Sequence, residues 1–159
     1  MMAIMYLPDP SKALAHLYRV TRPGGICFIT TWHRTETRTI GEHVLRRLRG
    51  RHDAVDRPIH FWKREMEDPG YLISEMEKVG FRDCGAEQRL VYATYPSGSR
   101  GINLAMELAP VLLSKYIDFK DELERERYQE LWREEFKQRE TKEGLKIKMW
   151  ANIVWGTKQ

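Results

Sequence analysis

The chain has 159 residues, room for about one domain at ~150 residues each, with 31% charged and 42% hydrophobic residues and a mean hydropathy of −0.61. That apolar content, with 11% aromatics, is too high for a disordered chain. No apolar run approaches the ~18–20 residues of a membrane span, and the opening MMAIMYLPDP is too short for the apolar region of a signal peptide. Two cysteines, Cys27 and Cys84, supply neither a disulfide framework nor a thiolate metal site, and five scattered histidines show no ligand spacing, so no metal is expected. These bounds predict a soluble, cytoplasmic α/β domain with no membrane partner. The net charge of +4 and pI near 9.1 come largely from one cluster, Arg46, Arg47, Arg49 and Arg51. A single cluster of this kind fits a solvated helix face or an anionic-ligand contact better than a duplex footprint, so nucleic acid is not the expected partner.

In chain order, residues 2–7 form a short apolar run that reads as a strand. Asp9 is a good N-cap and Pro10 suits the first helical position, and Leu14, Leu17 and Tyr18 then share a helical face. Pro23 stops that helix and Gly24-Gly25 makes a tight turn into Ile26-Cys27-Phe28-Ile29, whose continuous apolar character predicts a strand covered on both faces. Strand, helix, proline–glycine turn and strand make a βαβ unit with a right-handed crossover. Residues 36–50 predict a helix ended by Gly50, followed by a charged loop over 51–68 and a helix from Pro69 to Gly80. Residues 82–95 predict a strand, broken by Pro96-Ser97-Gly98. Ile102 to Tyr116 is apolar nearly all round and should be buried or meet a partner, with a kink at Pro110; Phe119 to Gln138 is a charged helix with Leu123, Leu131 and Trp132 as its inner stripe. Leu145 to Trp155 alternates, with Ile147, Met149, Ala151, Ile153 and Trp155 on one face and Lys146, Lys148 and Asn152 opposite.

The string Leu17-Tyr18-Arg19-Val20-Thr21-Arg22-Pro23-Gly24-Gly25, followed by an apolar strand, resembles the R-V-L-K-P-G-G segment of class I S-adenosylmethionine-dependent methyltransferases, which in that family leads from the helix after the fourth strand into the fifth. The later order is similar too: Val79-Gly80-Phe81 sits where the family has a G-F before its sixth strand, and Trp155-Gly156-Thr157-Lys158 resembles the closing G-x-K of many small-molecule methyltransferases. A helical insertion such as 98–140 is common in fungal secondary-metabolite members. The resemblance implies an α/β fold, the C-terminal half of a Rossmann-like methyltransferase sheet, with parallel strands plus a terminal antiparallel strand, in a single truncated domain over 1–159. It implies S-adenosylmethionine as cofactor. The family's glycine-rich loop and its acidic ribose-binding residue have no counterpart here, since no G-x-G occurs and Gly24-Gly25 follows a helix rather than a strand. The strand at 2–7 would then carry an open edge, to be covered by a second copy or by a complementing methyltransferase chain.

Methyl transfer requires alignment of donor and acceptor, and an acceptor hydroxyl, thiol or amine needs a nearby base. In a doubly wound sheet the ligand crevice lies beyond the carboxyl ends of the parallel strands, which places Met5-Tyr6-Leu7 and Trp32-His33-Arg34 there. His33 is therefore the first candidate base or substrate contact, against the alternative of a surface histidine at a strand end. Trp32 could stack on a planar small-molecule substrate or pack under the next helix, and Arg34 is a substrate contact beside it. His60, a second candidate catalytic residue, with Phe61 and Trp62 lies in a loop the family often uses as a substrate lid. Tyr6 corresponds to a position at which family members contact cofactor or substrate, and Met106 is a core residue or a pocket wall. Three functions fit: a methyltransferase completed by another chain, a pseudo-methyltransferase regulatory subunit, and an enzyme that kept the substrate pocket but performs a cyclisation or isomerisation.

Overall fold

The computed structural model describes residues 4–50, 64–114 and 117–159. Its elements are α1 (Pro10–Val20), β1 (Ile26–Thr35), α2 (Glu36–Arg49), α3 (Pro69–Lys78), β2 (Arg82–Tyr95), α4 (Ser99–Ser114), α5 (Glu122–Arg139), β3 (Glu140–Thr141) and β4 (Gly144–Thr157), with 3-10 turns at Ile4–Tyr6 and Arg64–Glu67. The fold is α/β. One sheet runs in the order β1-β4-β2, with the short β3 paired antiparallel to β4 as a hairpin. Gly25 meets Lys158 while Thr31 meets Asn152, so β1 and β4 run in opposite directions. Gly85 lies against Trp155 and Gln88 against Asn152, so β2 is antiparallel to β4 as well and parallel to β1. The expected terminal antiparallel strand thus lies between two parallel ones.

The chain divides into two compact units. The first draws on Met1–Arg34, His60–Val91 and Met149–Gln159. Its core gathers Ile4, Met5, Leu14, Ile29, Met76, Phe81 and Val154, and burying each such side chain stabilises the fold by ~1.5–3 kcal/mol. α1 starts as its sequence dictates: the Asp9 carboxylate accepts from the Lys12 N–H at 2.9 Å and Pro10 occupies the first turn. At the other end of the helix, Lys158 lays its ammonium 4.7 Å from the centre of the Tyr18 ring and donates to the Tyr18 carbonyl at 2.9 Å. The same ring meets Phe81 edge-on at 5.0 Å and fills the space beside Gly80. With φ of +112° and a Cβ position only 2.9 Å from Tyr18, residue 80 accommodates glycine alone.

Two expectations for this unit fail. Ile4–Tyr6 is a 3-10 turn, not part of a strand, so no βαβ crossover starts from these residues. The Leu7 N–H donates to the Ile4 carbonyl at 3.2 Å, Pro8 has no N–H for a ladder, and Ile4 and Met5 gain more by burial in the core. Nor is β1 covered on both faces. Cys27, Ile29 and Thr31 are buried, whereas Ile26 and Phe28 are 57% and 55% exposed, and among the described residues β1 is a sheet edge.

The second unit draws on Thr35–Ile59 and Tyr92–Lys148, and in it α5 packs against both α2 and α4. Tyr128, Leu131, Trp132, Glu135 and Phe136 make the buried stripe of α5, at the i, i+3, i+4, i+7, i+8 spacing of a helix face. Leu131 and Trp132 sit where the periodicity put them, but Leu123 is 73% exposed. One step later, Glu124 falls on the stripe and takes the inner place, held by Arg49 at 3.0 Å. Glu135 is buried on the same stripe, 3.0 Å from Arg47, 2.5 Å from Arg139 and 3.3 Å from His43. Arg47 and Arg49 of the α2 arginine cluster are therefore internal counter-charges to α5. α4 buries Ile102, Ala105 and Met106 while Leu104 and Leu108 stay exposed, so its apolar surface is only partly covered.

Removing the Glu135 carboxylate leaves Arg47 and Arg139 without their shared anion. Because both guanidiniums are partly solvated, Glu135→Ala should lower stability by about 1–3 kcal/mol, read from the urea midpoint; an unchanged midpoint would contradict the packing described. Acid should weaken the fold through Glu124 and Glu75. Hydrogen bonds from Arg49 to Glu124, and from Lys78 and Ser11 to Glu75, hold these carboxyls below their ordinary value of 4.5. Their contribution is complete above that value and is lost as pH falls through the lower folded values, so Glu124→Gln and Glu75→Gln should flatten the acid limb of the Tm–pH curve.

Candidate active site

β1 carries Thr31, Trp32, His33 and Arg34 to its carboxyl end, where the following chain and β4 supply polar partners from within the first unit. His33 Nδ1 lies 2.9 Å from the Glu67 carbonyl oxygen. A carbonyl can only accept, so the neutral ring carries its proton on Nδ1 and keeps the lone pair on Nε2. The ring is half-buried, and its other nitrogen has the electronic form of a general base.

The Glu67 carbonyl is itself fixed. Asn152 on β4, fully buried, donates from Nδ2 to this oxygen at 3.0 Å and to the Thr31 hydroxyl at 3.3 Å. Thr31 passes its own proton to the Met66 carbonyl at 2.9 Å. On the far side of the amide, Gln88 Nε2 on β2 donates to Asn152 Oδ1 at 3.0 Å. The 3-10 turn Arg64–Glu67 presents its carbonyls to this row because its own Met66 is buried in the core and α3 starts just beyond it at Pro69. Beside the row, the Arg34 guanidinium lies 5.4 Å from the centre of the Trp150 ring, a cation–π pair on neighbouring strands.

The other sequence candidates fall as follows. Trp32 packs half-buried at the rim of the core cluster. Tyr6 is 54% exposed, whereas its neighbour Met5 is a core residue. His60, Phe61 and Trp62 lie outside the described residues. Met106 belongs to the second unit, where it lines a cleft of about 330 Å³ between α4 and α5 with Asn103, Glu107, Pro110, Gln129 and Arg133. The structure therefore brings His33 and Arg34 together with Asn152 and Trp150, two residues that sequence reasoning did not select. The available signal for Asn152 was a lone amide in the apolar run Ala151-Asn152-Ile153-Val154.

Burial pushes both cysteine thiols up, and Glu77 and Asp83 raise Cys84 further, which disfavours the thiolate form. Among the described residues no group of three or more metal-ligating side chains comes together, and no helix is long and apolar enough to cross a membrane. Among the described residues, the Gly24-Gly25 pair is not available as a cradle for S-adenosylmethionine. At the proline–glycine turn the Gly24 N–H donates to the Lys158 carbonyl at 2.6 Å and the Gly25 N–H to the Arg22 carbonyl at 2.9 Å, leaving neither amide for a ligand.

No family model and no curated protein matches the chain. Among solved structures it is similar to phosphoethanolamine N-methyltransferase 2 of Haemonchus contortus, bound to phosphomonomethylethanolamine and S-adenosylhomocysteine, with 17% identity and a TM-score of 0.41 over 99% of this chain and 32% of that one. It is also similar to a Bacillus halodurans C-125 protein named as an inferred methyltransferase, with 16% identity and a TM-score of 0.43 over 99% of this chain and 66% of that one. The chain spans about a third of the first and just under two thirds of the second. A likeness at this level assigns neither chemistry nor family.

The polar row has a direct test. Thr31→Val removes the proton given to Met66 and the acceptor offered to Asn152, both buried, and should cost about 1–3 kcal/mol in chemical denaturation. A neutral outcome would mean that the row is not formed as described.

Proposed function

We propose that this chain carries the acceptor-binding side of a small-molecule methyltransferase of the S-adenosylmethionine-dependent class, working in the cytoplasm in secondary metabolism, and that a second chain supplies the donor-binding side. The observation that carries this reading is His33, held with Nε2 unprotonated at the carboxyl end of β1, directly after the R-V-x-x-P-G-G segment. In this role Nε2 takes the proton of an acceptor hydroxyl, thiol or amine, and Nδ1–H on the Glu67 carbonyl stabilises the imidazolium that forms. Trp32, Arg34 and Trp150 offer planar and cationic surface for an aromatic or anionic acceptor. The edge of β1, with Ile26 and Phe28 exposed, is the side on which a second copy or a complementing methyltransferase would pair.

A second reading is favoured by the contrast between a base formed within this chain and a glycine turn whose amides are occupied: an acid–base enzyme, a cyclase or isomerase, that transfers no methyl group. The two separate in one set of measurements. Calorimetric titration of the isolated chain with S-adenosylhomocysteine should give no saturable heat, and saturable micromolar binding by a monomer would remove the need for a second chain. In the assembled enzyme, His33→Ala should lower turnover of a phenol or amine acceptor by about 10²–10⁴-fold. Solvent deuterium entering a substrate with no methyl donor present would favour the second reading.

A further inference from the structure

We propose that Asn152 is a positioning residue for His33, acting through the carbonyl oxygen they share. The inference rests on His33 serving as a base in the proposed function. Both lone pairs of the Glu67 carbonyl are engaged, one by His33 Nδ1 at 2.9 Å and the other by Asn152 Nδ2 at 3.0 Å. The amide has no alternative orientation. The end facing the Glu67 carbonyl must be the NH₂, because a carbonyl only accepts, and the opposite end must be the oxygen, because Gln88 Nε2 donates to it at 3.0 Å. Thr31 closes the arrangement by accepting the second Nδ2 proton at 3.3 Å while giving its own to the Met66 carbonyl. Asn152 thereby ties the turn at Arg64–Glu67 to β1 and β2 together, and the turn holds still the oxygen that selects the His33 tautomer.

A buried amide in an apolar strand satisfies its own hydrogen bonds in many ways. Here three of its bonds run to the strand that carries His33, the strand beyond β4, and the carbonyl that His33 uses. Without Asn152 the Glu67 oxygen loses the anchor that this amide provides. The imidazole then moves toward the Nε2–H form that a solvated histidine favours, which cannot accept a proton at Nε2.

The test reads the ring nitrogens of ¹⁵N-labelled full-length chain by long-range proton–nitrogen correlation, at a pH about two units above the ordinary histidine value so that the ring is neutral. The wild type should show His33 as Nδ1–H. Asn152→Leu, uncharged and of similar volume, should shift the tautomer ratio toward Nε2–H by about fivefold, the size of one ordinary neutral hydrogen bond. An unchanged ratio with a native backbone spectrum would overturn the proposal, as would a wild-type ring protonated on Nε2. Should Asn152→Leu not fold, Gln88→Leu replaces an exposed residue and removes the donor that anchors the Asn152 oxygen; it should move the ratio in the same direction by about twofold, and no movement there would equally overturn the proposal. These readings are independent of methyl transfer. A locked ring that Asn152→Leu releases, in a protein that methylates nothing, would leave the positioning role standing and remove the proposed function.

Discussion

A single carbonyl oxygen, that of Glu67, accepts from a strand-end histidine on one side and from a buried strand amide on the other. Its position follows from packing on both flanks: Met66 is inserted in the core before it, and Asp68 caps α3 immediately after, its carboxylate accepting from the Gly70 N–H at 2.9 Å. The histidine is therefore placed by backbone, which side-chain motion does not easily disturb. The chemistry assigned to Nε2 depends on that placement, and so does the register among β1, β4 and β2, because the Thr31–Asn152–Gln88 row crosses all three strands.

The second unit solves a different problem. A helix as charged as α5 buries a face only if its carboxylates bring their own cations, and α2 supplies them. Arg47 reaches both Glu134 and Glu135, and Arg49 reaches Glu124 with two nitrogens. Aromatic stacking fills the remainder of the stripe, with the Trp132 and Phe136 ring centres 5.2 Å apart. Of the arginines that read along the chain as a basic patch for an outside anion, Arg47 and Arg49 are paired internally.

Local chemistry was legible in the sequence where it is local in fact. The Asp9 cap, the helix start at Pro69, the Gly50 helix stop and the extents of β2 and β4 follow from residue types within a turn or two. Failures occurred where tertiary context decided. The apolar run at 26–29 does not say whether one face or two will be covered, and the run at 2–7 does not say that Ile4–Tyr6 within it is better buried as a 3-10 turn than as a strand. Leu123 was assigned to the inner face of α5 on hydrophobicity, but the geometry favoured Glu124, one residue further, because a cation waits there. Of the site, His33 and Arg34 were visible as residues following a strand. What holds His33 was not, since its partner is a backbone carbonyl, which no residue letter marks, and that carbonyl is in turn held by an amide whose burial depends on strands 64 and 121 residues away in sequence.

The pairing around Glu135 is layered, and its layers respond differently to dissolved ions. The outer arms, Arg47 to Glu134 and Arg127 to Glu134, join side chains a third to a half exposed, within reach of mobile counter-ions. The inner arms end on a carboxylate only 4% exposed. At about 1 M salt, where the screening length shrinks to about 3 Å, the outer arms fade while the inner ones persist. The helical unit is thus built to loosen at its rim in brine before its centre gives way, a gradation that a single exposed ion pair could not provide.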